Sequence, residues 1–428
     1  MARRTITGLA IVGLVCGASL AVCRPARAGL PAIMVATDAD NHARFVTTAG
    51  QSFIPQGVNW VVVSPGTPAT QKNISFNPDY YLSHRSVIHE SLTEIARSGF
   101  NFVRIRLDAD GISGPAGTVE LNRAYMANVI DFIRAAADSG LYVEPTGQWL
   151  PANYYMLVSR DGFPDPDRAN TSGVNALLLS QGLIHAYGRY MADVLDAIRA
   201  ADPGLLSAVF CVDLWNELAF ESTDLPFSRE AGRYTAEDGS LVELSDAASR
   251  QRLADTAARR WIDGVVTLAK QAAPGVLFTV SVFAPSDVFR SGYLGVFQRD
   301  AQWGDPRQPL RLSAVQDSKA DFLEIHLYPH AAGATLDDQL ASLEYLPARD
   351  SKPVLLAETG AFKSEIKEIG QVDGTLRGIL RQSCALRFAG WAFWTWDTDG
   401  QTDLWNLRES DGYLQKRLSP RGFDWCGA

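Results

Sequence analysis

The sequence predicts a single-domain α/β protein built as a (β/α)8 barrel, the TIM barrel. From residue 44 onward, short apolar segments of strand length alternate with amphipathic segments of helical period, which is typical of parallel α/β folds. Eight strand segments can be counted, and 428 residues exceed the roughly 250 of a minimal barrel, so some loops must be long. A doubly wound open sheet is the alternative, but no Gly-rich phosphate loop follows its first strand.

The first half of the chain supplies a hairpin and four strands. The hairpin is predicted at 44–55, turning around Ala49-Gly50, and it leads into the first strand at 54–60. Strands two to four are predicted at 101–108, 141–146 and 208–215, with helices at 88–98, 124–139 and 181–200 between them. Gly99 and Gly140 follow two of these helices as stop signals.

The second half continues the alternation. A helix is predicted at 247–272, and strands five to eight at 276–282, 322–327, 354–358 and 390–396, with a helix at 374–384 before the last strand. Segments 149–180 and 218–246, which follow strands three and four, are predicted to be long loops.

Residues 1–28 have the pattern of a secretory signal peptide, which leaves 29–428 as the folded domain. Arg3 and Arg4 precede an apolar run at 6–22, and cleavage is expected after Ala28. An uncleaved membrane anchor is the alternative. Cleavage changes the formal net charge from −9 to −13, because the segment holds four arginines and no acidic residue. We expect a secreted or periplasmic monomer that binds neither nucleic acid nor, once cleaved, a membrane.

The cysteines and histidines argue against a metal cofactor. Cleavage leaves three cysteines, of which Cys211 lies in an apolar run and is predicted to be a buried free thiol. Cys384 and Cys426 are a possible bridge. The six histidines form neither His-x-His nor His-Glu-x-x-His, and no spacing suggests zinc, so we expect no cofactor.

Two glutamates stand at the C-terminal ends of predicted strands. Strand four runs into Trp215-Asn216-Glu217, and strand seven ends at Glu358. Catalytic groups of TIM barrels lie at this face, and strands four and seven are on nearly opposite sides of the mouth. Cleaving a glycosidic bond with retention needs two carboxyl groups about 5–5.5 Å apart. Either glutamate alone is more often a surface or salt-bridged residue, but the pair predicts a catalytic site.

Other motifs accompany the glutamates in chain order: Gly57-Val58-Asn59-Trp60, Asn101-Phe102-Val103-Arg104, His326-Leu327-Tyr328 and Gly390-Trp391-Ala392-Phe393-Trp394. Together with Trp215-Asn216-Glu217 and Glu358, they resemble glycoside hydrolase family 5, the cellulase- and mannanase-like enzymes, or a close sister family of clan A. The likeness extends over residues 44–396. The sequence departs from the family pattern at Leu218, where a proline is usual, and at Gln148, where a histidine is common.

The resemblance implies roles for the matched residues. Glu217 would be the general acid/base and Glu358 the nucleophile, while Asn216 would hydrogen-bond the sugar 2-hydroxyl. Arg104 would stand beside the nucleophile, since a guanidinium keeps its charge; a salt bridge with Asp108 is the alternative. Burial and the Glu358 anion are expected to raise the pKa of Glu217, so that this acid starts protonated.

Further candidates surround this pair. His326 could tune Glu217 and Tyr328 could hydrogen-bond Glu358, against the alternatives of a structural histidine and a packed aromatic ring. By the resemblance, Trp394 would lie beneath the cleaved sugar. Arg106 shares the strand face of Arg104 and is a weaker candidate for the position beside the nucleophile. The remaining candidate substrate-binding residues are Asn59, Trp60, Gln148, Trp149 and Trp396.

The expected function is retaining hydrolysis of a β-linked glucan or mannan, with cellulase-like endo action favoured. Long loops can wall a cleft or cap a pocket, so an exo-acting β-glucosidase or β-mannosidase is the alternative. A glycan-binding barrel without catalysis is the alternative from a different class. An acyl-transfer hydrolase lacks the Gly-x-Ser-x-Gly motif in this sequence.

Overall fold

The structure, a computed structural model, describes residues 29–67, 70–288, 293, 305–344 and 351–427. The predicted signal peptide at 1–28 lies outside the described residues. The main sheet contains β1 Gln56–Trp60, β2 Phe102–Arg106, β3 Tyr142–Thr146, β4 Cys211–Asp213, β5 Leu277–Thr279 with Ser281–Phe283, β6 Leu323–His326, β7 Val354–Thr359 and β8 Gly390–Phe393.

These strands are parallel and close into a barrel. The sheet begins at the first segment of β5, passes through β4, β3, β2, β1, β8, β7 and β6, and ends at the second segment of β5. Both edges therefore belong to one strand, which changes neighbours at Val280. The predicted (β/α)8 fold is confirmed, and the C-terminal strand ends meet at one mouth.

A helix follows each strand: α1 Pro78–Arg97, α2 Arg123–Asp138, α3 Gln181–Ala201, α4 Ala247–Ala272, α5 Leu312–Gln316, α6 Leu336–Ser342, α7 Ile369–Ala385 and α8 Glu409–Leu418. The predicted bounds of α4 are confirmed. Asp246 caps this helix by accepting from the amides of Ala248 and Ser249, and an apolar stripe including Trp261 is buried. In contrast, α1 begins ten residues before the predicted start, because Pro78 and Asp79 form a first turn outside the apolar stripe.

The N-terminal hairpin differs from the predicted one. Ile33–Thr37 pairs antiparallel with Ala43–Thr47, whereas the predicted second arm contributes one isolated bridge between Val46 and Ser52. The missed strand is five residues long, and its pairing depends on backbone hydrogen bonds that its composition does not indicate. Phe45 packs edge-on against Phe210 and Phe322, with ring centroids 5.1 and 5.2 Å apart, so the hairpin covers the N-terminal end of the barrel.

The two predicted loops contain regular structure. Segment 149–180 holds a 3-10 turn Ala152–Met156 and helices Leu157–Arg160 and Gly173–Leu179. In 218–246, strand Arg233–Thr235 pairs with Leu241–Glu243, and strand Ala219–Glu221 pairs antiparallel with Arg307–Pro309. The last pairing joins segments that are remote in sequence, so local patterns cannot reveal it. It brings Arg307–Pro309 to the barrel mouth beside the segment that follows β4.

The cysteine expectations agree with the structure. Cys384 of α7 is bonded to Cys426 near the C-terminus, and Cys211 is a buried free thiol. Among the described helices, none is both long enough and apolar enough to cross a bilayer.

Candidate active site

Glu217 lies in a sharp turn just beyond β4. Its backbone is left-handed, with φ of 55°, a conformation that is uncommon outside glycine and needs support from its surroundings. The Glu217 amide donates to Ser281 Oγ at 2.7 Å, and that hydroxyl donates to Asp213 Oδ2 at 2.9 Å. Strands β4 and β5 therefore hold this turn jointly, with the Glu217 side chain directed at the barrel mouth.

The side chain of Glu358 comes from β7, beside His326 in the neighbouring strand β6. Ligand atoms of Glu217, His326 and Glu358 all lie within 4.8 Å of one another, so the two carboxyl groups approach within that distance. This spacing is close to the roughly 5–5.5 Å of retaining glycosidases and well below the roughly 6.5–9.5 Å of inverting ones.

Each carboxylate oxygen of Glu358 has its own donor. Arg104 Nη1 forms an ion pair with Oε1, and the Tyr328 hydroxyl donates to Oε2 at 2.7 Å. Burial, followed by the negative charge of Glu358, raises the pKa of Tyr328 well above its usual 10, so this phenol stays a neutral donor. The two donors orient the carboxylate toward the mouth.

Arg104 is fully buried and connects several strands. Nη1 donates to Asn59 Oδ1 at 3.0 Å, and Nη2 donates to Asp213 Oδ2 at 2.6 Å and to Asn216 Oδ1 at 3.0 Å. Burial alone would lower the pKa of Arg104, but the surrounding carboxylates raise it above the ordinary value. The alternative pairing with Asp108 is not formed, because Asp108 accepts from the amide of Gly111 at a helix start.

Two further acids lie beneath Arg104 inside the barrel. Glu144 Oε1 accepts from Arg104 Nε at 3.1 Å, and Glu324 Oε1 is also 3.1 Å from Nε. Both glutamates are completely buried. Burial raises the pKa of Glu144 well above its usual value, and the charge of Glu324 raises it further, which favours the neutral acid form of Glu144.

Glu217 differs from the predicted protonated acid. Its Oε1 lies 3.2 Å from His326 Nδ1, and its Oε2 accepts from Arg307 Nη1 at 2.8 Å. Burial raises the pKa of Glu217, but the contact and charge of His326, followed by Arg307 and Arg106, outweigh burial and lower this pKa. The expectation of a raised pKa is wrong for this unliganded state, because it did not include these cations.

The three groups Glu217, His326 and Glu358 also have the composition of a small metal site. Three guanidinium groups surround them, however: Arg104 on Glu358, Arg307 on Glu217, and Arg106 nearby. Their positive charge opposes a divalent cation, and the carboxylate oxygens of Glu358 already have donors. The donor set fits two reacting carboxyl groups better than a resident ion.

A pocket of about 630 Å³ opens beside the C-terminal ends of β2 and β3. Arg106 lines it, donates to Gln148 Oε1 at 2.6 Å, and lies 5.7 Å from the centre of the Trp394 ring. Trp149 and Tyr155, both 45% exposed, continue the wall outward. Exposed aromatic faces beside polar groups are suited to sugar rings.

Three candidates are not placed for sugar contact. Trp60 is buried against Phe132 beneath the helices, and Trp396 is buried with its Nε1 donating to Ser91. Their outward direction follows from strand alternation, so the structure does not bring either ring together with Glu217 and Glu358. Asn59 is also fully buried and donates to the carbonyls of Ala357 and Phe393, so it positions Arg104 rather than a substrate.

The sequence interpretation missed several residues of the site. Arg307 reaches Glu217 from the strand Arg307–Pro309, and no local pattern marked it. Glu144 and Glu324 had a detectable signal, since each is a charged residue in the middle of an apolar strand. A charge at such a position either finds a partner inside the barrel or destabilises it.

Comparisons with known proteins identify the fold. No family model matches the sequence, and no curated protein matches it. The structure is similar to an exo-β-1,4-mannosidase from Opitutaceae bacterium strain TAV5, with 17% identity, a TM-score of 0.56, and coverage of 90% of this chain and 63% of that chain. This chain therefore spans less than two thirds of that protein.

Two further solved structures are matched over nearly their whole length. One is an endo-1,4-β-mannanase from Rhizomucor miehei, with 15% identity, a TM-score of 0.55, and coverage of 91% of this chain and 99% of that chain. The other is a GH5-4 broad specificity endoglucanase from an uncultured bacterium, with 16% identity, a TM-score of 0.52, and coverage of 87% and 94%. At these identities the similarity shows a shared barrel fold.

Proposed function

We propose that this protein is a retaining β-glycosidase, with Glu358 as nucleophile and Glu217 as general acid/base. The observation that carries the proposal is the approach of the two carboxyl groups within 4.8 Å at the C-terminal mouth of the barrel. Their surroundings differ as the two roles require. Glu358 is oriented by Arg104 and Tyr328, whereas Glu217 contacts His326, a group able to carry a proton.

In the first step, Glu358 Oε attacks the anomeric carbon and the glycosidic C–O bond breaks. The leaving oxygen takes a proton from Glu217, and a glycosyl ester forms on Glu358. The ester has lost the negative charge that Arg104 balanced, while the Tyr328 hydroxyl remains within reach of the ester oxygen.

In the second step, water enters where the leaving group stood. Glu217, now a carboxylate, removes a proton from this water as its oxygen attacks the anomeric carbon. The ester bond breaks and the Glu358 carboxylate returns to Arg104 and Tyr328. Each of the two steps inverts the anomeric carbon, so the product keeps the β-configuration of the substrate.

We propose a β-linked glucan or mannan as substrate, cleaved in endo fashion, and a place in or near glycoside hydrolase family 5. The pocket beside Arg106 extends past Gln148 to the exposed rings of Trp149 and Tyr155, which supports binding of several sugar units. Similarity to an endo-mannanase and an endoglucanase is in keeping with this substrate class. Similarity to an exo-mannosidase keeps exo action as the second candidate.

We also propose that the chain is secreted or periplasmic, on the pattern of residues 1–28 alone. Mass spectrometry of the mature protein would test this, with Gly29 expected as the first residue. A mature N-terminus that retains the apolar run would contradict cleavage.

Hydrolysis of aryl β-glycosides, β-glucans and β-mannans would test the proposed function. Wild type should cleave one class, and Glu358→Ala should lose activity on every substrate. Glu217→Ala should lose about a hundredfold or more on polymers. Aryl glycosides with good leaving groups need no acid, so they should still form the glycosyl ester and release a burst of phenol before slow deglycosylation. The exposed Glu243→Ala variant, remote in the fold on a surface hairpin, serves as the matched control.

The cleavage pattern separates the remaining candidates. Internal cuts that quickly lower polymer viscosity would support endo action, and release of single sugars would support exo action. Tight binding of a glycan without hydrolysis, unchanged in Glu358→Ala, would instead indicate a glycan-binding barrel without catalysis.

A further inference from the structure

His326 has a carboxylate oxygen at each ring nitrogen. Nδ1 lies 3.2 Å from Glu217 Oε1 and 3.5 Å from Glu358 Oε2, while Nε2 lies 3.5 Å from Glu324 Oε1. A neutral imidazole carries one N–H and would present a lone pair to one of these anions. The arrangement is satisfied on both sides only when both nitrogens carry protons.

Glu324 lies among ionisable side chains. Its Oε1 lies 3.1 Å from Arg104 Nε and 3.5 Å from His326 Nε2, and its side chain also contacts the carboxyl group of Glu144. Both Glu324 and His326 are completely buried. A buried carboxylate needs nearby positive charge or donors, and a charged imidazole at Nε2 supplies both.

The two buried glutamates, Glu144 and Glu324, differ in how strongly they favour the protonated form. Glu144, on the opposite wall, favours its neutral acid form because burial and the Glu324 charge raise its pKa. Arg104 Nε lies 3.1 Å from one oxygen of each glutamate. The Glu324 carboxylate therefore faces two cationic groups, Arg104 and His326, and the carboxyl group of Glu144.

Several charged groups face His326 from the surrounding strands. Burial lowers the pKa of His326, but the charge of Glu358 and contacts with Glu217 and Glu324 outweigh it and raise this pKa above its usual 6.5. Arg104 opposes the rise. Taken strand by strand, these groups include Arg104 on β2, Asp213 on β4, Glu217 after β4, Glu324 on β6 and Glu358 on β7, and Arg106 and Arg307 act on Glu217 beside them.

We propose that Glu324 is a positioning residue that keeps both ring nitrogens of His326 protonated, so that the imidazole stores the proton which Glu217 delivers to the leaving oxygen. The proposal rests on the proposed glycosidase function and identifies where its acid proton resides in the free protein. Neither Glu324 nor Glu144 touches the substrate.

The proton balance closes over one turnover. During glycosylation, the proton on His326 Nδ1 passes to Glu217 Oε1 and from Glu217 to the leaving oxygen, which leaves a neutral imidazole and a Glu217 carboxylate. During deglycosylation, Glu217 takes a proton from water and returns it to Nδ1. The pair of Glu217 and His326 therefore holds one proton in the resting state, and titrates as a unit.

The sign of the pH dependence follows from this sharing. The pair keeps its proton until the pH exceeds the raised pKa of His326, so the alkaline limb of kcat/KM lies above that of an isolated glutamic acid. Neutralising Glu324 removes an anion that favours imidazolium. The pKa of His326, and the alkaline limb with it, should then move to lower pH.

The first test is a ¹⁵N NMR titration of the His326 ring in the unliganded protein, assigned by the signal lost in His326→Gln. In wild type, both ring nitrogens should show imidazolium shifts at about pH 8, above the usual histidine pKa of about 6.5. A neutral tautomer at that pH would overturn the proposal. This measurement needs no activity, so its outcome is separate from that of the proposed function.

The second test compares two isosteric variants of the same buried cluster. Glu324→Gln should lower the His326 midpoint by about one pH unit or more, since a nearby opposite charge is removed. Glu144→Gln replaces a neutral acid with a neutral amide and should leave the midpoint in place. Equal shifts in both variants, or no shift in Glu324→Gln, would contradict the assignment of the charge to Glu324.

The alkaline limb of kcat/KM provides the kinetic readout, because a merely structural loss would lower activity without moving it. The limb should move down in Glu324→Gln and stay in Glu144→Gln, whatever their kcat values. If Glu324→Gln does not fold, the wild-type ring spectrum decides alone.

Discussion

Tyr328 and Tyr154 each donate a hydrogen bond to a carboxylate, one inside the site and one outside it. The Tyr328 hydroxyl donates to Glu358 Oε2 at 2.7 Å, and Tyr154 makes a similar contact of 2.9 Å with Asp193, a residue outside the site. A hydrogen bond to a charged group contributes about 1.5–3 kcal/mol. Because the two hydrogen bonds are chemically alike, removing either should cost similar free energy, and only the one at Glu358 should affect catalysis.

Tyr328→Phe is therefore expected to lower kcat about tenfold to a hundredfold, because Glu358 loses one of its two donors. Tyr154→Phe should lower the free energy of unfolding by about 1.5–3 kcal/mol and leave kcat unchanged. Steady-state kinetics and urea unfolding of both variants check this. Equal losses of kcat in the two variants would mean that Tyr328 acts through stability.

Arg307 sets the ionisation of Glu217 from the opposite side to His326. Its Nη1 donates to Glu217 Oε2 at 2.8 Å, and its Nη2 pairs with Asp305 at 3.0 Å. In Arg307→Gln, the loss of this cation should raise the pKa of Glu217, so the proton of the pair is held to higher pH.

The pH profile of kcat/KM for Arg307→Gln should accordingly have its alkaline limb at higher pH than wild type. This direction is opposite to that expected for Glu324→Gln. The exposed Arg233→Gln, on a surface hairpin, is the matched control and should leave the limb in place. A limb that moves down in Arg307→Gln would contradict the proton-sharing account.

The sequence predicted the inner residues of the site better than the outer ones. Glu217, Asn216, Glu358, Arg104, His326 and Tyr328 all come from strand ends with local motifs, and the structure brings them together. The charge state of Glu217 was not predictable, because Arg307 reaches it from a segment 90 residues away. The structure does not bring Trp60 and Trp396 to these inner residues, because a motif at a strand end does not tell on which face of the strand a ring lies.

At the scale of elements, one acid of α2 connects that helix to three side chains of α1. Asp131 of α2 accepts from Arg85 Nε and Nη2 at 2.8 and 2.6 Å and from the Tyr81 hydroxyl at 2.9 Å. His89 Nε2 lies 2.9 Å away. Burial would raise the pKa of Asp131, but the contacts with Arg85, His89 and Tyr81 lower it to about 2.

Asp131→Asn should lower the free energy of unfolding at neutral pH by about 1–3 kcal/mol. The folded-state pKa is depressed, so this stability is present above the unfolded pKa of about 3.9 and is lost as pH falls toward 2. Urea unfolding of wild type and variant should therefore differ at neutral pH and converge in acid. Asp196→Asn, which breaks an exposed pair with Arg199, should change stability by less than about 1 kcal/mol.

Element boundaries were predictable where local signals exist. Helix α4 has a capping Asp246, a long apolar stripe and a following Pro274-Gly275, and its predicted bounds match the structure. The strand Ala219–Glu221 has no such signal, since its partner Arg307–Pro309 is remote in sequence. The predicted 218–246 loop was wrong for that reason.

At the scale of the whole molecule, the barrel is apolar at its closed end and charged at its mouth. The N-terminal hairpin closes the lower end with Phe45 and Phe53, and the buried ionisable side chains of Arg104, Glu144 and Glu324 lie above. This gradient follows from strand alternation together with the few charged residues in apolar strands. It provides a dry, rigid setting for the two reacting carboxyl groups.

The disulfide between Cys384 and Cys426 contributes to global stability and not to chemistry. It closes a segment of 42 residues that joins α7 to the C-terminal end through β8 and α8. Reduction should lower the free energy of unfolding by about 2–4 kcal/mol and leave kcat/KM unchanged. The double variant Cys384→Ser/Cys426→Ser should be insensitive to reductant, and a wild type equally insensitive would contradict a stabilising bond.

Azide rescue tests the central claim, the division of roles between Glu358 and Glu217, most directly. With an activated aryl β-glycoside, azide should restore turnover of Glu358→Ala and yield the α-glycosyl azide, because one inversion occurs at the vacated face. In Glu217→Ala, azide should instead intercept the glycosyl ester and yield the β-glycosyl azide. The product anomers are identified by ¹H NMR. The same anomer from both variants, or full activity of Glu358→Ala without azide, would contradict the proposed mechanism.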